Sequence, residues 1–439
     1  MWGRVDRKPR RLSLSLVAAV AVAEAAVVLL RPRSGVIEPV EVSATSYFSE
    51  KEIERARAFR RPNLALFAAS VAVDVAVLAL LVRRPPAALT ATGRPLTRAA
   101  AAGAGLTVAL TAAGLPTAAA LRRRSLRVGL ATQSWRGWAV DQFKALGIGG
   151  ALSAAAAALF VALVRRLPRA WWAPAAAGSV GLSAGFLFVG PVLLDPIFNT
   201  FTPLPEGRTR DSVLALAEKA GVSVGQVFEV DASRRTTAAN AYVTGLGATK
   251  RVVLYDTLLR DFTAEEVDLV VAHDLGHVRH RDVPRGLLFV LVVAPVGVLA
   301  AQRLIEAWVP DPKRRGTAAM VPAAALAGGV VSAAVGTVAN QLSRAIERRA
   351  DAYALTLTGD PEPFIGFERR IALKNIADPD PPRWLTFLMA THPPVIERIG
   401  AGVAFARATR APAGTPDPGP GPRPRPGPGS DHRRTPAGS

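Results

Sequence analysis

The sequence predicts a mainly α-helical, polytopic membrane protein, with about seven transmembrane helices and a small α+β domain. Two observations predict the membrane helices. Half of the 439 residues are hydrophobic, and Ala, Val and Leu recur in runs that approach the ~20 residues needed to cross a bilayer. A third observation predicts the small domain, because polar sequence with short β-branched and aromatic segments interrupts these runs between residues 195 and 285.

Five predicted spans precede this polar sequence and two follow it. The predicted spans are 12–30, 62–82, 99–121, 148–164, 171–194, 286–308 and 317–340. The third and fourth spans are rich in Ala and Gly, so their hydrophobicity is weaker. Arg10 and Arg11 flank the first span, and no small-residue cleavage site follows it. We therefore interpret the first span as an anchor and not as a removed signal peptide.

The last two spans separate two polar parts that we expect to meet in one domain. Two crossings return the chain to the side of the membrane that it left after Asp282. The predicted organisation is a membrane region (1–194), a first polar part (195–285), a two-span hairpin (286–340), a second polar part (341–410) and a tail (411–439). Pro, Gly, Arg and Ser dominate the tail, so it cannot bury a core and is predicted to be disordered.

The net charge of +20 is compatible with a nucleic-acid binder, but the positions of the arginines favour membrane lipid as the partner and no nucleic acid. The arginines at span ends are Arg10, Arg11, Arg83, Arg84, Arg122, Arg123, Arg124, Arg165 and Arg166. There they would meet anionic headgroups. Because basic residues flank both alternate sets of loops, the sequence does not decide the orientation of the protein in the membrane. The sequence also leaves the oligomeric state open. The Ala-, Arg-, Gly- and Pro-rich composition indicates a GC-rich bacterial source, and hence a bacterial plasma membrane.

The first polar part contains signals for both helices and strands. Residues 211–220 are predicted to form a short amphipathic helix, and 227–230 and 251–255 to form strands. Thr263 and Glu266 form a capping box at the start of a further helix. A buried stripe then follows at helical spacing, consisting of Val267, Val271, Leu275 and Val278.

The same helix carries the most informative pattern of the chain, His273-Asp274-Leu275-Gly276-His277, on a different face. The chain has only five histidines, and this spacing places two imidazoles close enough to bind one zinc ion. The carboxylate beside the first histidine is where zinc peptidases keep a general base, although Asp replaces the usual Glu. The chain has no cysteine, so zinc would need His and carboxylate ligands, which favours an open catalytic site over a closed structural one.

A catalytic zinc site needs a third protein ligand, and Glu347 is the candidate. Asp351 lies one turn further along the same helical face, where it could hydrogen-bond a ligand imidazole. Asp282, just after the first helix, could do the same. The alternative for Glu347 is a surface ion pair with Arg344 or Arg348.

Three further residues carry open alternatives. His392 precedes Pro393 and Pro394, so it lies in a rigid turn and could donate to an oxyanion; the alternative is a histidine without a role. Glu24 and Asp74 lie within apolar spans. Such carboxylates indicate a proton path or a partner, or they line a wet interior, which is the interpretation we favour.

Taken together, these motifs resemble metallopeptidase family forty-eight and, within it, the integral-membrane type I CAAX prenyl protease branch. The motifs are His273 with His277, Glu347 with Asp351, and His392-Pro393-Pro394, placed around membrane spans. Further matching stretches are 196–207, 240–243 and 251–259. The resemblance covers roughly residues 45–405. Each short motif alone is weakly specific, whereas the combination is highly specific.

The resemblance implies a helical barrel around a water-filled chamber, with a gluzincin-like zinc domain at its cap. It implies one zinc ion per chain, bound by His273, His277 and Glu347. It implies that Asp274 is the general base and that Asp351 supports a ligand or donates a proton. It implies substrate or transition-state contacts from Asn240, Tyr242, His392 and Arg398. The stretch 240–243 would be an edge strand to which an extended substrate adds.

Asp274 departs from the family pattern. Its carboxylate is one methylene shorter than that of Glu and so retreats by about 1.5 Å, and a misplacement of ~1 Å can cost about a hundredfold in rate. Asp keeps the charge and nearly the pKa of Glu, and a bridging water or a slight helix shift could restore contact. We therefore expect a membrane-embedded zinc endopeptidase acting on peptides or membrane proteins. The alternatives are a zinc-binding pseudoprotease or scaffold and a transporter that uses Glu24 and Asp74.

Overall fold

A computed structural model describes residues 8–91, 93–245 and 250–410 of the chain, with side chains from residue 14 onward. Its helices, numbered along the chain, are α1 (Lys8–Leu30), α2 (Glu50–Arg83), α3 (Ala87–Thr90), α4 (Pro95–Arg127), α5 (Trp135–Arg166), α6 (Trp172–Val189), α7 (Asp195–Phe198), α8 (Arg208–Lys219), α9 (Asp256–Asp261), α10 (Ala264–Arg279), α11 (Asp282–Trp308), α12 (Val321–Thr358), α13 (Pro361–Lys374), α14 (Arg383–Met389) and α15 (Val395–Arg410). The strands are β1 (Phe201–Pro203), β2 (Gln226–Val230), β3 (Ala241–Thr244) and β4 (Arg251–Tyr255). The predicted disordered tail lies outside the described residues.

Six helices in the described part of the chain are long and apolar enough to cross a membrane, and a shorter apolar helix, Leu14–Leu30, adds a seventh candidate. The six are α2, α4, α5, α6 with its continuation to Phe198, α11, and α12 with the turn before it. In α6, no residue of the most apolar stretch is buried within the protein. In α12, 44% of the corresponding stretch is buried. The exposed apolar side chains therefore need lipid around them. The predicted fold class, a mainly helical membrane protein with a small mixed sheet, is confirmed, while the enclosed chamber stays a prediction.

The helices begin and end where local chemistry dictates. Ser49 and Glu52 form a reciprocal capping box that starts α2, so the charged segment before the predicted second span and the span itself are one continuous helix. Gly103 of α4 lies so close to α5 that an added Cβ would clash with the Ser153 carbonyl oxygen. Only glycine permits this approach, which explains why an Ala- and Gly-rich span pairs so closely with its neighbour.

The small sheet has the strand order β1-β2-β4-β3. β1 and β3 are antiparallel to their neighbours, and β2 and β4 are parallel. β3 is therefore an edge strand, at the position predicted for residues 240–243. One face of the sheet and α10 share a core in which Leu254, Leu258 and Leu275 are fully buried.

The two helices that meet beside the sheet both follow sequence signals. The predicted capping box of Thr263 and Glu266 starts α10, and Val271 and Leu275 of the predicted stripe are completely buried. α12 continues past the predicted span end at residue 340, and stops only where Gly359 adopts a φ of 76°. One uninterrupted helix thus runs from the apolar region to α10, with which it packs.

Candidate metal centre

α10 places His273 and His277 one turn apart with their Nε2 atoms 3.1 Å from each other. The imidazole planes are nearly perpendicular, at 83°, and the short distance between the two Nε2 atoms allows one ion to contact both. Gly276 between them permits close contact with α12, because an added Cβ would lie 3.1 Å from the Tyr353 ring. The pattern of the sequence therefore brings two neutral-imidazole donors together.

α12 adds the Glu347 carboxylate to the same point. Glu347 Oε2 lies 3.2 Å from His273 Nε2, and Oε1 lies 3.8 Å from His277 Nε2. The alternative ion pairs are not formed, because Arg344 donates to backbone carbonyls and Arg348 to Glu397. Glu347 is buried, and its Oε2 has no hydrogen-bond donor among the described residues.

The other nitrogen of each imidazole is held by a buried carboxylate. His273 Nδ1 donates to Asp351 Oδ1 at 2.9 Å, and His277 Nδ1 donates to Asp282 Oδ2 at 3.0 Å. Because a carboxylate only accepts, each ring in its neutral form carries its proton on Nδ1. The Nε2 lone pairs are therefore left for a metal ion, in the carboxylate–histidine arrangement common around bound zinc.

The electrostatics of this cluster favour a cation. Burial by itself lowers the pKa of His273, but the neighbouring carboxylates of Asp351 and Glu347 outweigh burial and raise that pKa to about 10. The cluster thus attracts positive charge into a buried position, and the donor set of two imidazoles and a carboxylate suits zinc. These residues fit the metal that the sequence predicts.

Asp274 lies at the same centre. One of its carboxylate oxygens and one nitrogen of each neighbouring histidine lie within 4.8 Å of one another. Asp274 Oδ2 is buried without a hydrogen-bond partner among the described residues. Burial raises the pKa of Asp274 to about 6, although the two imidazoles act in the opposite direction.

A buried chain of charges stands behind His273, and the sequence interpretation missed its last member. Arg398 donates to Asp351 through Nε at 2.8 Å and also through Nη2, while its Nη1 lies 2.9 Å from Glu368 Oε1. All three guanidinium nitrogens of Arg398 therefore face carboxylates of the protein. Asp351 is 2% exposed and Glu368 is 1% exposed. The signal that could have identified Glu368 from the sequence is a charged residue on the buried face of α13.

His392 approaches the centre from the loop before α15. Its Nε2 lies 3.4 Å from Glu347 Oε2, and its side chain is 61% exposed, so it borders both the cluster and solvent. Thr391 Oγ1 lies 2.9 Å from its Nδ1. Burial on the inner side lowers the pKa of His392, which favours the neutral imidazole at neutral pH.

The two predicted substrate contacts on the edge strand differ. The Asn240 side chain is exposed at the start of β3, while its backbone carbonyl accepts from the Tyr255 N–H at 3.1 Å. The Tyr242 hydroxyl donates to Asp195 Oδ2 at 3.4 Å, next to the membrane helices. Burial raises the pKa of Tyr242, so its hydroxyl stays protonated.

A cavity of about 1560 Å³ lies beside the metal centre. It is lined by the start of α2, by Arg348 and by Pro394, next to His392; His273 and His277 do not line it.

Of the two predicted intramembrane carboxylates, Glu24 accepts from Gln341 Nε2 at 3.2 Å, and Asp74 is half-buried on α2. Neither belongs to the cluster around the histidines.

Sequence and structure comparisons agree on one group of proteins. Residues 203–402 match a family model described as Peptidase family M48, and residues 43–200 match one described as CAAX prenyl protease N-terminal, five membrane helices. The chain is 32% identical over 281 residues to the uncharacterized metalloprotease YhfN of Bacillus subtilis, which covers 63% of this chain and 66% of that protein. It is also 32% identical over 155 residues to CAAX prenyl protease 1 of Saccharomyces cerevisiae, which covers 35% of this chain and 34% of that protein.

These matches span two thirds or less of the length of the two relatives. The crystal structure of S. mikatae Ste24p superposes with a TM-score of 0.70 at 19% identity, over 91% of this chain and 100% of that chain. At that identity the likeness shows a shared fold.

Proposed function

Because the chain belongs to peptidase family M48, we propose that it is a membrane-embedded zinc endopeptidase with one zinc ion per chain. The proposed ligands are His273, His277 and Glu347. One observation carries the proposal: two Nε2 atoms and one carboxylate converge while both Nδ1 atoms are held by other carboxylates. Without a cation, this arrangement leaves buried oxygens of Asp274 and Glu347 unpaired, which is costly.

Each residue around the centre has a proposed role. Zinc, when bound, acts as a Lewis acid that activates water for attack on a peptide carbonyl. Asp274 accepts the proton of the attacking water and delivers it to the leaving amine. His392, at the exposed edge of the cluster, donates to the oxygen of the attacked carbonyl as negative charge develops there. The products are a carboxylic acid and an amine.

The buried carboxylates act on the ligands instead of the substrate. Asp351 and Asp282 fix the tautomers of His273 and His277, so that Nε2 is the basic nitrogen in each ring. Arg398 and Glu368 hold Asp351 in place from behind. Both oxygens of Asp351 are occupied by His273 and Arg398, so we assign it a positioning role and not that of proton donor.

The proposed substrate is an extended segment of a peptide or membrane protein that adds to the free edge of β3. Asn240 and Tyr255 are hydrogen-bonded across β3 and β4, so alternation turns the N–H and C=O groups of Ala241 and Val243 toward the open edge. A substrate strand would pair with these groups, and the exposed Asn240 side chain would contact its backbone. The proposed location of this reaction is a bacterial plasma membrane.

A zinc-binding pseudoprotease is the second candidate function, and Asp274 is the observation that favours it. Its shorter carboxylate has one oxygen without a partner among the described residues, whereas a working base must reach the attacking water. In this case the edge of β3 would bind membrane substrates without cutting them.

A cleavage assay on the purified protein decides between the two functions. Wild type, His273→Ala and Asp274→Glu are reconstituted in lipid nanodiscs, their zinc content is measured, and each is incubated with a library of prenylated and unmodified peptides. We expect about one zinc per wild-type chain, weak cleavage by wild type, faster cleavage by Asp274→Glu, and neither zinc nor cleavage for His273→Ala. If Asp274→Glu cleaves peptides and wild type does not, the wild-type protein is a pseudoprotease. A wild type that binds no zinc would refute both functions.

A further inference from the structure

A second polar pocket lies at the opposite end of the membrane helices. α11 begins beside the metal centre at Asp282 and carries Gln302 twenty positions later, about 30 Å away along the helix axis. The pocket has a volume of about 310 Å³ and lies among the ends of α5 and α11 and the turns before α6 and α12. Nothing proposed above for the zinc site involves it.

Gln302 lines this pocket and carries an unpaired, buried acceptor. The residue is 2% exposed, and its Nε2 donates to Glu306 Oε1 at 2.8 Å and to the Arg169 carbonyl at 3.3 Å. These two acceptors fix the amide so that Oε1 is the free end. Oε1 is buried and receives no hydrogen bond from the described residues. A buried acceptor of this kind is stabilised by a hydrogen-bond donor, which a water or a bound ligand can supply.

Two guanidinium groups line the same pocket without a carboxylate partner. Glu306 also lines the pocket, but its carboxylate accepts from Arg303 and Gln302, and in the described part of the chain neither Arg165 nor Arg315 has an acidic oxygen within 4.0 Å. Arg165 is nevertheless held in place, because its Nη1 lies 3.4 Å from the Gly316 carbonyl and its stem crosses Gly316. A Cβ at Gly316 would come within 2.8 Å of Arg165 Cγ, and the φ of Gly316 is 69°. The glycine therefore makes room for a positioned cation that suits an anion.

The apolar walls identify where the rest of the ligand lies. Trp171, Ile305 and Met320 are buried residues that line the pocket, and the apolar spans start or stop beside each of them. A pocket at this depth sits at the boundary between hydrocarbon and water, where Trp and Arg side chains are favoured.

From these contacts we propose that the pocket binds a phospholipid headgroup that carries a hydrogen-bond donor beyond its phosphate. The phosphate contacts Arg165 and Arg315, and a hydroxyl or ammonium group donates to Gln302 Oε1. Phosphatidylglycerol and phosphatidylethanolamine have this chemistry. Phosphatidylcholine has the phosphate and no such donor. The inference is independent of the zinc site and of its activity.

The test measures lipid binding to the delipidated full chain in detergent by native mass spectrometry, with lipids of identical acyl chains. We expect wild type to bind phosphatidylglycerol and phosphatidylethanolamine about fivefold more tightly than phosphatidylcholine, since the latter leaves Oε1 unpaired. Gln302→Leu should abolish the difference between phosphatidylethanolamine and phosphatidylcholine, which have the same net charge. The double variant Arg165→Gln, Arg315→Gln should lose roughly thirtyfold in affinity for all three lipids.

Arg166→Gln is the matched control, because Arg166 ends the same helix and does not line the pocket. Its lipid affinity should equal that of wild type. An equal loss in the control and the double variant would indicate general surface attraction and overturn the proposal. Binding of glycerol phosphate alone with the affinity of the lipid would also overturn it, in favour of a soluble phosphate ester. If the double variant does not fold, the comparison of headgroup preference between wild type and Gln302→Leu still tests the proposal, and an unchanged preference in Gln302→Leu would overturn it.

Discussion

At the scale of single residues, Asp274 is where the sequence departs from the family pattern and where the proposed function places the general base. Asp274→Asn keeps the shape and removes the base, so we expect cleavage to fall by a factor of about a hundred to ten thousand, with zinc content unchanged. Asp268→Asn is the control on the same helix, since Asp268 accepts from Ser212 away from the centre. Cleavage by Asp274→Asn at the wild-type rate would show that another group takes the proton.

A second residue-scale prediction concerns Glu368, which is connected by three successive contacts to His273, a proposed zinc ligand. Glu368→Gln removes the charge facing Arg398, which loosens the support of Asp351 and His273. We expect zinc affinity to fall by about ten- to a hundredfold, measured by competition with a chelator. Glu362→Gln on the same helix is the control, because Glu362 makes only an exposed ion pair with Arg410.

The effect of Glu368→Gln should depend on pH with a definite sign. Burial raises the pKa of Glu368 to about 7, against the opposing influence of Arg398. Below that pH wild-type Glu368 is mostly protonated and resembles Gln, so the two proteins should bind zinc similarly. The difference should grow as the pH rises through about 7. A ratio of the two affinities that is constant from pH 6 to pH 8 would contradict this role.

At the scale of elements, the free edge of β3 is expected to bind the substrate. Val243→Pro removes an N–H that alternation turns away from β4, so it should weaken substrate pairing without breaking a ladder bond. We expect KM to rise by about tenfold or more, with zinc content unchanged. Val243→Thr keeps both the N–H and the branched shape and should behave as wild type. Equal KM values for Val243→Pro and Val243→Thr would place the substrate elsewhere.

The helices themselves were predictable to different degrees. The capping box of Thr263 and Glu266 is a local signal, so the start of α10 could be read from the sequence. The end of α12 could not, because hydropathy falls after residue 340 while helix propensity persists to Gly359. Polar sequence therefore marked the end of the apolar span and not the end of the helix.

At the scale of the whole molecule, zinc is expected to connect the two polar parts of the chain. The proposed ligands lie on α10 and α12, on either side of the α11–α12 hairpin, so zinc binding should stabilise the folded protein. Free zinc at a thousand times its dissociation constant contributes about 4 kcal/mol. A chelator should therefore lower the unfolding temperature of wild type in a fluorescence melt.

Two variants control this measurement. His277→Ala should unfold at a lower temperature and no longer respond to the chelator. His280→Ala should keep the response, because His280 contacts Gly276 and Tyr353 outside the cluster. A wild type that is insensitive to the chelator would speak against a zinc ion that holds the two parts together.

The amino-acid sequence was sufficient to predict the membrane helices, the strands at 227–230 and 251–255, and the imidazole pair of His273 and His277, because hydropathy, strand composition and the i, i+4 spacing are local properties. The edge strand at 240–243 was expected only from the family resemblance. It also singled out Glu347, Asp351 and Asp282 but left their partners open. The three-dimensional packing was needed to establish that Glu347 meets the imidazoles instead of Arg344 or Arg348. It was needed equally to establish that Arg398 faces Asp351 and Glu368, and that Gln302 and two arginines share a pocket. These contacts join residues tens to more than a hundred positions apart, and such pairings depend on how helices pack and not on any local pattern.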